Sequence, residues 1–169
     1  MTIQHDITNY ATWCENTWYI KDKKNNLFIC MAGFAGESGE IAEEILNNDN
    51  KNLLKECGDF FYYWTRVNQL FNYNIDTIEY TLCSDKNLYT QCLEFHKNVG
   101  KVCEILKKSL SHNMPIDDTL KDNLQKCLNS FMTIAHFYNY DLDDIISTNI
   151  DKIEQRMLKG TLLGNGNDR

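Results

Sequence analysis

At 169 residues, with 43% apolar and 24% charged side chains, the chain has the length of one domain and the composition of a globular one. Its 17 Lys and Arg against 24 Asp and Glu give a formal charge of −7 and a pI near 5.0, which excludes nonspecific nucleic-acid binding through a cationic face. No apolar run nears the ~20 residues of a membrane span, and Met1-Thr2-Ile3-Gln4-His5-Asp6 is no signal sequence, so no membrane partner and a cytoplasmic location are expected.

The pattern predicts an all-α chain. A first amphipathic stretch runs from Ile7 to Tyr19, with Tyr10, Trp13, Cys14 and Trp18 at helical spacing. After the turn-like segment from Lys21 to Asn26, a second helix is expected from Leu27 to Leu46 and a third, rich in aromatics, from Leu53 to Phe71. A short helix is predicted from Asp76 to Leu82. Two long helices follow over Leu88–Leu110 and Asp117–Tyr138, parted by the single proline, Pro115, and a last helix spans Leu142–Leu158 before a Gly/Asn-rich tail. The seven cysteines are odd in number and contain no Cys-x-x-Cys pair or zinc spacing, which points to reduced, mostly buried thiols. His5, His96, His112 and His136 are scattered and suggest no site.

An internal repeat organises these helices. Phe71-Asn72-Tyr73-Asn74-Ile75-Asp76-Thr77-Ile78 recurs as Tyr138-Asn139-Tyr140-Asp141-Leu142-Asp143-Asp144-Ile145 at an offset of 67, and the preceding helices align at 64 through Gly36/Gly100, Glu40/Glu104 and Ile41/Ile105. The chain therefore reads as one domain over 1–169: a first helical hairpin (27–82), a second (91–148) and a C-terminal helix and tail (149–169), packed as a four-helix bundle.

The first hairpin carries the chemistry. Glu37 and Glu40 are i, i+3, Glu44 continues the same face, and Glu56 and Asp59 repeat the spacing at the start of the facing helix. Carboxylates converging from antiparallel helices repel one another unless cations sit between them, and an all-oxygen donor set selects Mg²⁺ or Mn²⁺. The alternative is a solvated acidic helix face. Against it stand Gly33, Gly36, Gly39 and Gly58 inside the acidic helices, each costing about 1 kcal/mol relative to Ala, and the apolar neighbours Phe34, Ile41, Phe60 and Tyr63. A di-iron carboxylate site is ruled out, since no Glu-x-x-His is present.

The run from Ala32 to Glu44, followed by Leu54-Lys55-Glu56-Cys57-Gly58-Asp59-Phe60-Phe61-Tyr62-Tyr63, resembles the MazG-like nucleotide pyrophosphohydrolases, which group with the dimeric dUTPases among the all-α NTP pyrophosphatases. That family shows Glu-x-x-Glu, a gap of one to two dozen residues (15 here), then Glu-x-x-Asp. Asn149-Ile150-Asp151-Lys152-Ile153-Glu154-Gln155-Arg156 is similar to its Asn-x-x-Lys-x-x-x-Arg helix, and the segment from Gly164 to Arg169 resembles its tail, although Asn167-Asp168 departs from the usual Gly-x-Gly-Asp-x-Arg. The second hairpin replaces Glu37 by Lys101, Glu44 by Lys108, Glu56 by Asn123 and Asp59 by Lys126, as expected of a degenerate copy that binds no metal.

The resemblance implies Mg²⁺-dependent hydrolysis of a nucleoside triphosphate to the monophosphate and pyrophosphate. It implies Glu37, Glu40, Glu56 and Asp59 as metal ligands, with Glu37 or Glu40 orienting the attacking water. Lys152 and Arg156, i, i+4 on the last helix, would neutralise the outer phosphates, though a solvated helix C-terminus also favours cations. Tyr63 is a candidate for base stacking beside Trp13, Trp18 and Tyr62, and Asn149 and Asn68 for a base or sugar edge. Single-unit relatives dimerise, so a homodimer is one expected assembly. The alternative function is a catalytically inert helical bundle that binds a nucleotide or a protein partner.

Overall fold

The computed structural model describes residues 2–84 and 87–161; the Gly164–Arg169 tail motif lies outside them. Among the described residues the elements run β1 (Thr2–Asp6), α1 (Thr8–Thr17), α2 (Lys23–Asn47), α3 (Asn50–Leu70), β2 (Thr77–Thr81), α4 (Leu88–His112), α5 (Asp118–Phe137) and α6 (Leu142–Lys159). The chain is thus mainly helical, and no described helix is long and apolar enough to cross a membrane.

The expected short helix over 76–82 is instead a strand. Thr77-Ile78-Glu79-Tyr80-Thr81 alternates exposed and buried side chains, and it pairs antiparallel with β1 from Thr2↔Thr81 to Asp6↔Thr77. Five residues carry too few turns to reveal a period of 3.6, whereas β-branched and aromatic residues at period 2 suit a half-buried strand. The hairpin is fastened to α5 where Asn129 Oδ1 accepts from Thr81 N and Thr133 Oγ1 from Cys83 N.

Helix starts follow their caps. Asp22, Asp49, Asn87 and Asp141 each accept the backbone N–H three residues on, and Asp117 that of Thr119. Asp22 carries α2 back to Lys23, into the segment read from sequence as a turn, and Asp49 starts α3 at Asn50 rather than Leu53. Helix ends use asparagine: Asn48, Asn72, Asn113 and Asn139 have φ of 50–60°, which Asn tolerates better than most non-glycine residues. The offset of 67 is visible here as geometry. Phe71, Asn72 and Tyr73 donate to the carbonyls of Asn68, Gln69 and Asn68, and Tyr138, Asn139 and Tyr140 donate in the same pattern to Ala135, His136 and Ala135.

The two hairpins, α2–α3 and α4–α5, meet around four buried phenylalanines, one from each helix. The Phe60 ring lies 4.8 Å from each of Phe34, Phe95 and Phe131. His96 Nε2 reaches the Ser38 carbonyl at 2.9 Å, tying α4 to α2 one residue from Glu37. Helix α6 crosses α3 at Gly58, where an added Cβ would lie 2.9 Å from Asn149 Cβ and 3.3 Å from the Ile145 carbonyl oxygen. Of the seven thiols, all free, Cys14, Cys30, Cys57 and Cys127 are buried, in keeping with the sequence reading. Because backbone faces Gly58, Gly58→Ala must push α6 away; a thermal melt is expected to register a loss of about 1–3 kcal/mol, and an unchanged melting temperature would show that the crossing is not tight.

Candidate functional site

The antiparallel hairpin α2–α3 brings Glu37, Glu56 and Asp59 together, with one carboxylate oxygen from each within 4.8 Å of the others. The Glu56 side chain is only 1% exposed. From α6, Lys152 Nζ donates to Asp59 Oδ2 at 2.6 Å and stands 4.0 Å from Glu56 Oε2, with 7% of its side chain exposed. Asn149 Nδ2 donates to Asp59 Oδ1 at 2.9 Å, and the Tyr10 hydroxyl of α1 donates to Asn149 Oδ1 at 2.9 Å. Arg156, also buried, borders the same cleft as Glu37 and Asp59.

Glu37 is the electrostatically strained member. Burial, then the charges of Asp59, Glu40 and Glu56, push its carboxyl up to about 9, opposed by Lys152. Its Oε2 atom is buried without a hydrogen-bond partner. A buried, unpaired acceptor among other carboxylates is the arrangement that a divalent cation relieves, and the donor set is entirely oxygen.

Not every residue expected from sequence joins the trio. Glu40 is exposed and lies outside the three, acting on Glu37 through its charge. Glu44 lies further along α2, where slight burial, then the charges of Asp49, Glu43 and Glu40, raise its carboxyl against Lys55. Asn68 is structural: its Nδ2 donates to the Trp64 carbonyl at 2.8 Å and its own carbonyl accepts the N–H groups that end α3. In the second hairpin Lys101 and Lys126 are exposed, and Glu104 pairs with Lys107 and Lys108 at 2.5 and 3.4 Å on the surface. The glycines divide as well. Gly33 leaves room for Tyr63, whose ring atoms lie 2.3–2.6 Å from an added Cβ, and Gly58 admits α6, but Gly36 and Gly39 meet nothing within 4 Å, so packing does not explain them.

Beside the trio opens a cleft of about 160 Å³, lined by Thr17, Trp18 and Tyr19 at the end of α1, by Tyr62 and Tyr63 of α3, and by Glu37, Asp59 and Arg156. Trp18 and Tyr63 meet edge to face with centroids 6.1 Å apart. Of the four aromatics singled out from sequence, Trp18, Tyr62 and Tyr63 line this cleft, while Trp13 packs behind, against Tyr10 and Tyr62. Sequence reasoning missed Tyr10 as a site residue, since its helical spacing marks only the core. No family model, curated protein or solved structure matches the chain.

The high folded-state value of Glu37 has a definite sign in stability. The native state holds this proton up to about 9 while the unfolded carboxyl releases it near 4.5, so in chelator the Glu37 contribution destabilises progressively as pH rises between those values. Glu37→Gln is therefore expected to melt about 5 °C higher than the parent at pH 8 without metal, with little difference at pH 4.5. A variant that melts lower at pH 8 would refute the burial account.

Proposed function

We propose that the chain is a Mg²⁺-dependent nucleotide pyrophosphohydrolase of the MazG-like, all-α NTP pyrophosphatase type, hydrolysing a (d)NTP to (d)NMP and pyrophosphate. The observation that carries this reading is the buried carboxylate trio opening into an aromatic cleft. The residues fit a hard divalent ion: three oxygen donors from two helices and the orphaned Glu37 Oε2. Glu37, Glu56 and Asp59 would hold it, with Glu40 contributing from the exposed rim.

When bound, Mg²⁺ polarises phosphoryl oxygens and lowers the pKa of an attacking water. The chain's own residues supply the rest. Trp18, Tyr62 and Tyr63 would offer flat apolar surface to a base in the cleft that Glu37 and Asp59 also line. Arg156, on the cleft wall, would give a planar fork to phosphate oxygens, and Lys152, bonded to Asp59, a point charge beside the carboxylates. Glu37 is the better placed general base. Burial first, then the charges of Asp59, Glu40 and Glu56, raise its affinity for a proton, the property that a base acting on water needs. Glu40, exposed beside it, orients that water from solvent.

The test is pyrophosphate release from a panel of ribo- and deoxyribonucleotides in Mg²⁺. At least one nucleotide is expected to be turned over, with loss of activity in chelator. Asp59→Asn and Glu56→Gln are expected to lower the rate at least about 100-fold and Glu40→Gln about tenfold, within the range that removal of single charge-stabilising or acid–base groups produces. Parent-like turnover by Asp59→Asn would overturn the site, and nucleotide binding with no product would point to the inert bundle.

A further inference from the structure

Deepening that reading of the same site, we propose that Tyr10 is a positioning residue for the metal-binding carboxylate Asp59, acting through the side-chain amide of Asn149. The donor and acceptor inventory leaves one arrangement. An ionised Asp59 only accepts, so Asn149 must turn its NH₂ toward Asp59 Oδ1, which is 2.9 Å away. Asn149 Oδ1 then faces α1, and the Tyr10 hydroxyl, also at 2.9 Å, must donate to it. Were the amide reversed, its oxygen would face the Asp59 carboxylate oxygen at 2.9 Å with no proton between them. Tyr10 is 3% and Asn149 0% exposed, so water does not compete for either bond. Burial also raises the Tyr10 phenol well above its ordinary range, which keeps the donor proton in place.

The chain of two bonds holds one oxygen of Asp59 while Lys152, one turn further along α6, holds the other. Asn149 holds Oδ1 while Lys152 holds Oδ2, so the carboxylate plane is set before any cation arrives. Tyr10 itself cannot swing away, because its ring stacks on Phe61 and Trp13 at centroid distances of 5.5 and 5.7 Å. Tyr10 lies on α1, the helix whose last residue Thr17 and C-cap Trp18 line the cleft. Partners of this kind around a ligating carboxylate commonly set affinity by 10–100-fold when they touch the ligand directly; Tyr10 stands one residue further out, so a smaller factor is expected.

The test is Mn²⁺ titration of the full chain, followed by the free-ion electron paramagnetic resonance signal, with Tyr10→Phe, which removes the hydroxyl and keeps the stacked ring. Tyr10→Phe is expected to weaken Mn²⁺ about fivefold. Tyr140→Phe, which removes a hydroxyl bonded to the Asn50 carbonyl away from the trio, is expected to leave the affinity unchanged. In an Asn149→Ala background (Asn149→Ser if the alanine variant does not fold), adding Tyr10→Phe is expected to change nothing further, because the intermediary is gone. Parent-like affinity in Tyr10→Phe, or an undiminished fivefold loss in the Asn149 background, overturns the proposal while the metal site stands. Parent-like Mn²⁺ affinity in Asp59→Asn overturns the metal site itself and the proposal with it.

Discussion

Three carboxylates confined between two antiparallel helices, one of them almost wholly out of water, impose the constraint that the remaining parts of this molecule answer. Charges of like sign at such separation in a low-dielectric space repel strongly, and the repulsion has to be offset by protons, by cationic side chains or by a metal ion. All three remedies are visible or implied here. Glu37 keeps its proton to about 9, Lys152 bridges Asp59 and Glu56, and the orphaned Glu37 Oε2 leaves a place for a cation.

The architecture follows from that need. Helix α6 must approach α3 closely enough for Lys152 and Asn149 to reach Asp59, and Gly58 permits the crossing. The acids themselves need a stiff backing, which the four phenylalanines around Phe60, next in sequence to Asp59, provide. The second hairpin contributes two of those rings but presents its counterpart positions to solvent as lysines and a surface ion pair. The second hairpin thus shares in the packing around Phe60 and carries no counterpart of the charge cluster among its described residues.

Much of this was legible in the sequence because it has a period. Helix positions, the acid spacing of Glu37, Glu56 and Asp59, and the Lys152/Arg156 pair all depend on 3.6-residue repetition, which a linear string displays. The β-hairpin escaped because five residues are too short for periodicity to decide, and its partner strand lies 75 residues away. Glu40 was indistinguishable from Glu37 in spacing; the rotation of α2 that exposes one and half-buries the other is a tertiary fact. Tyr10 likewise looked like any core aromatic, since its role depends on a hydroxyl meeting a residue 139 positions later.

The proposed chemistry turns on whether the trio of Glu37, Glu56 and Asp59 holds a cation. Crystals of the full chain soaked in Mn²⁺, with an anomalous difference map collected near the manganese edge, address it most directly. A peak is expected within about 2.0–2.3 Å of carboxylate oxygens from Glu37, Glu56 and Asp59. An empty trio, with manganese only on exposed surface carboxylates, would contradict the cation site.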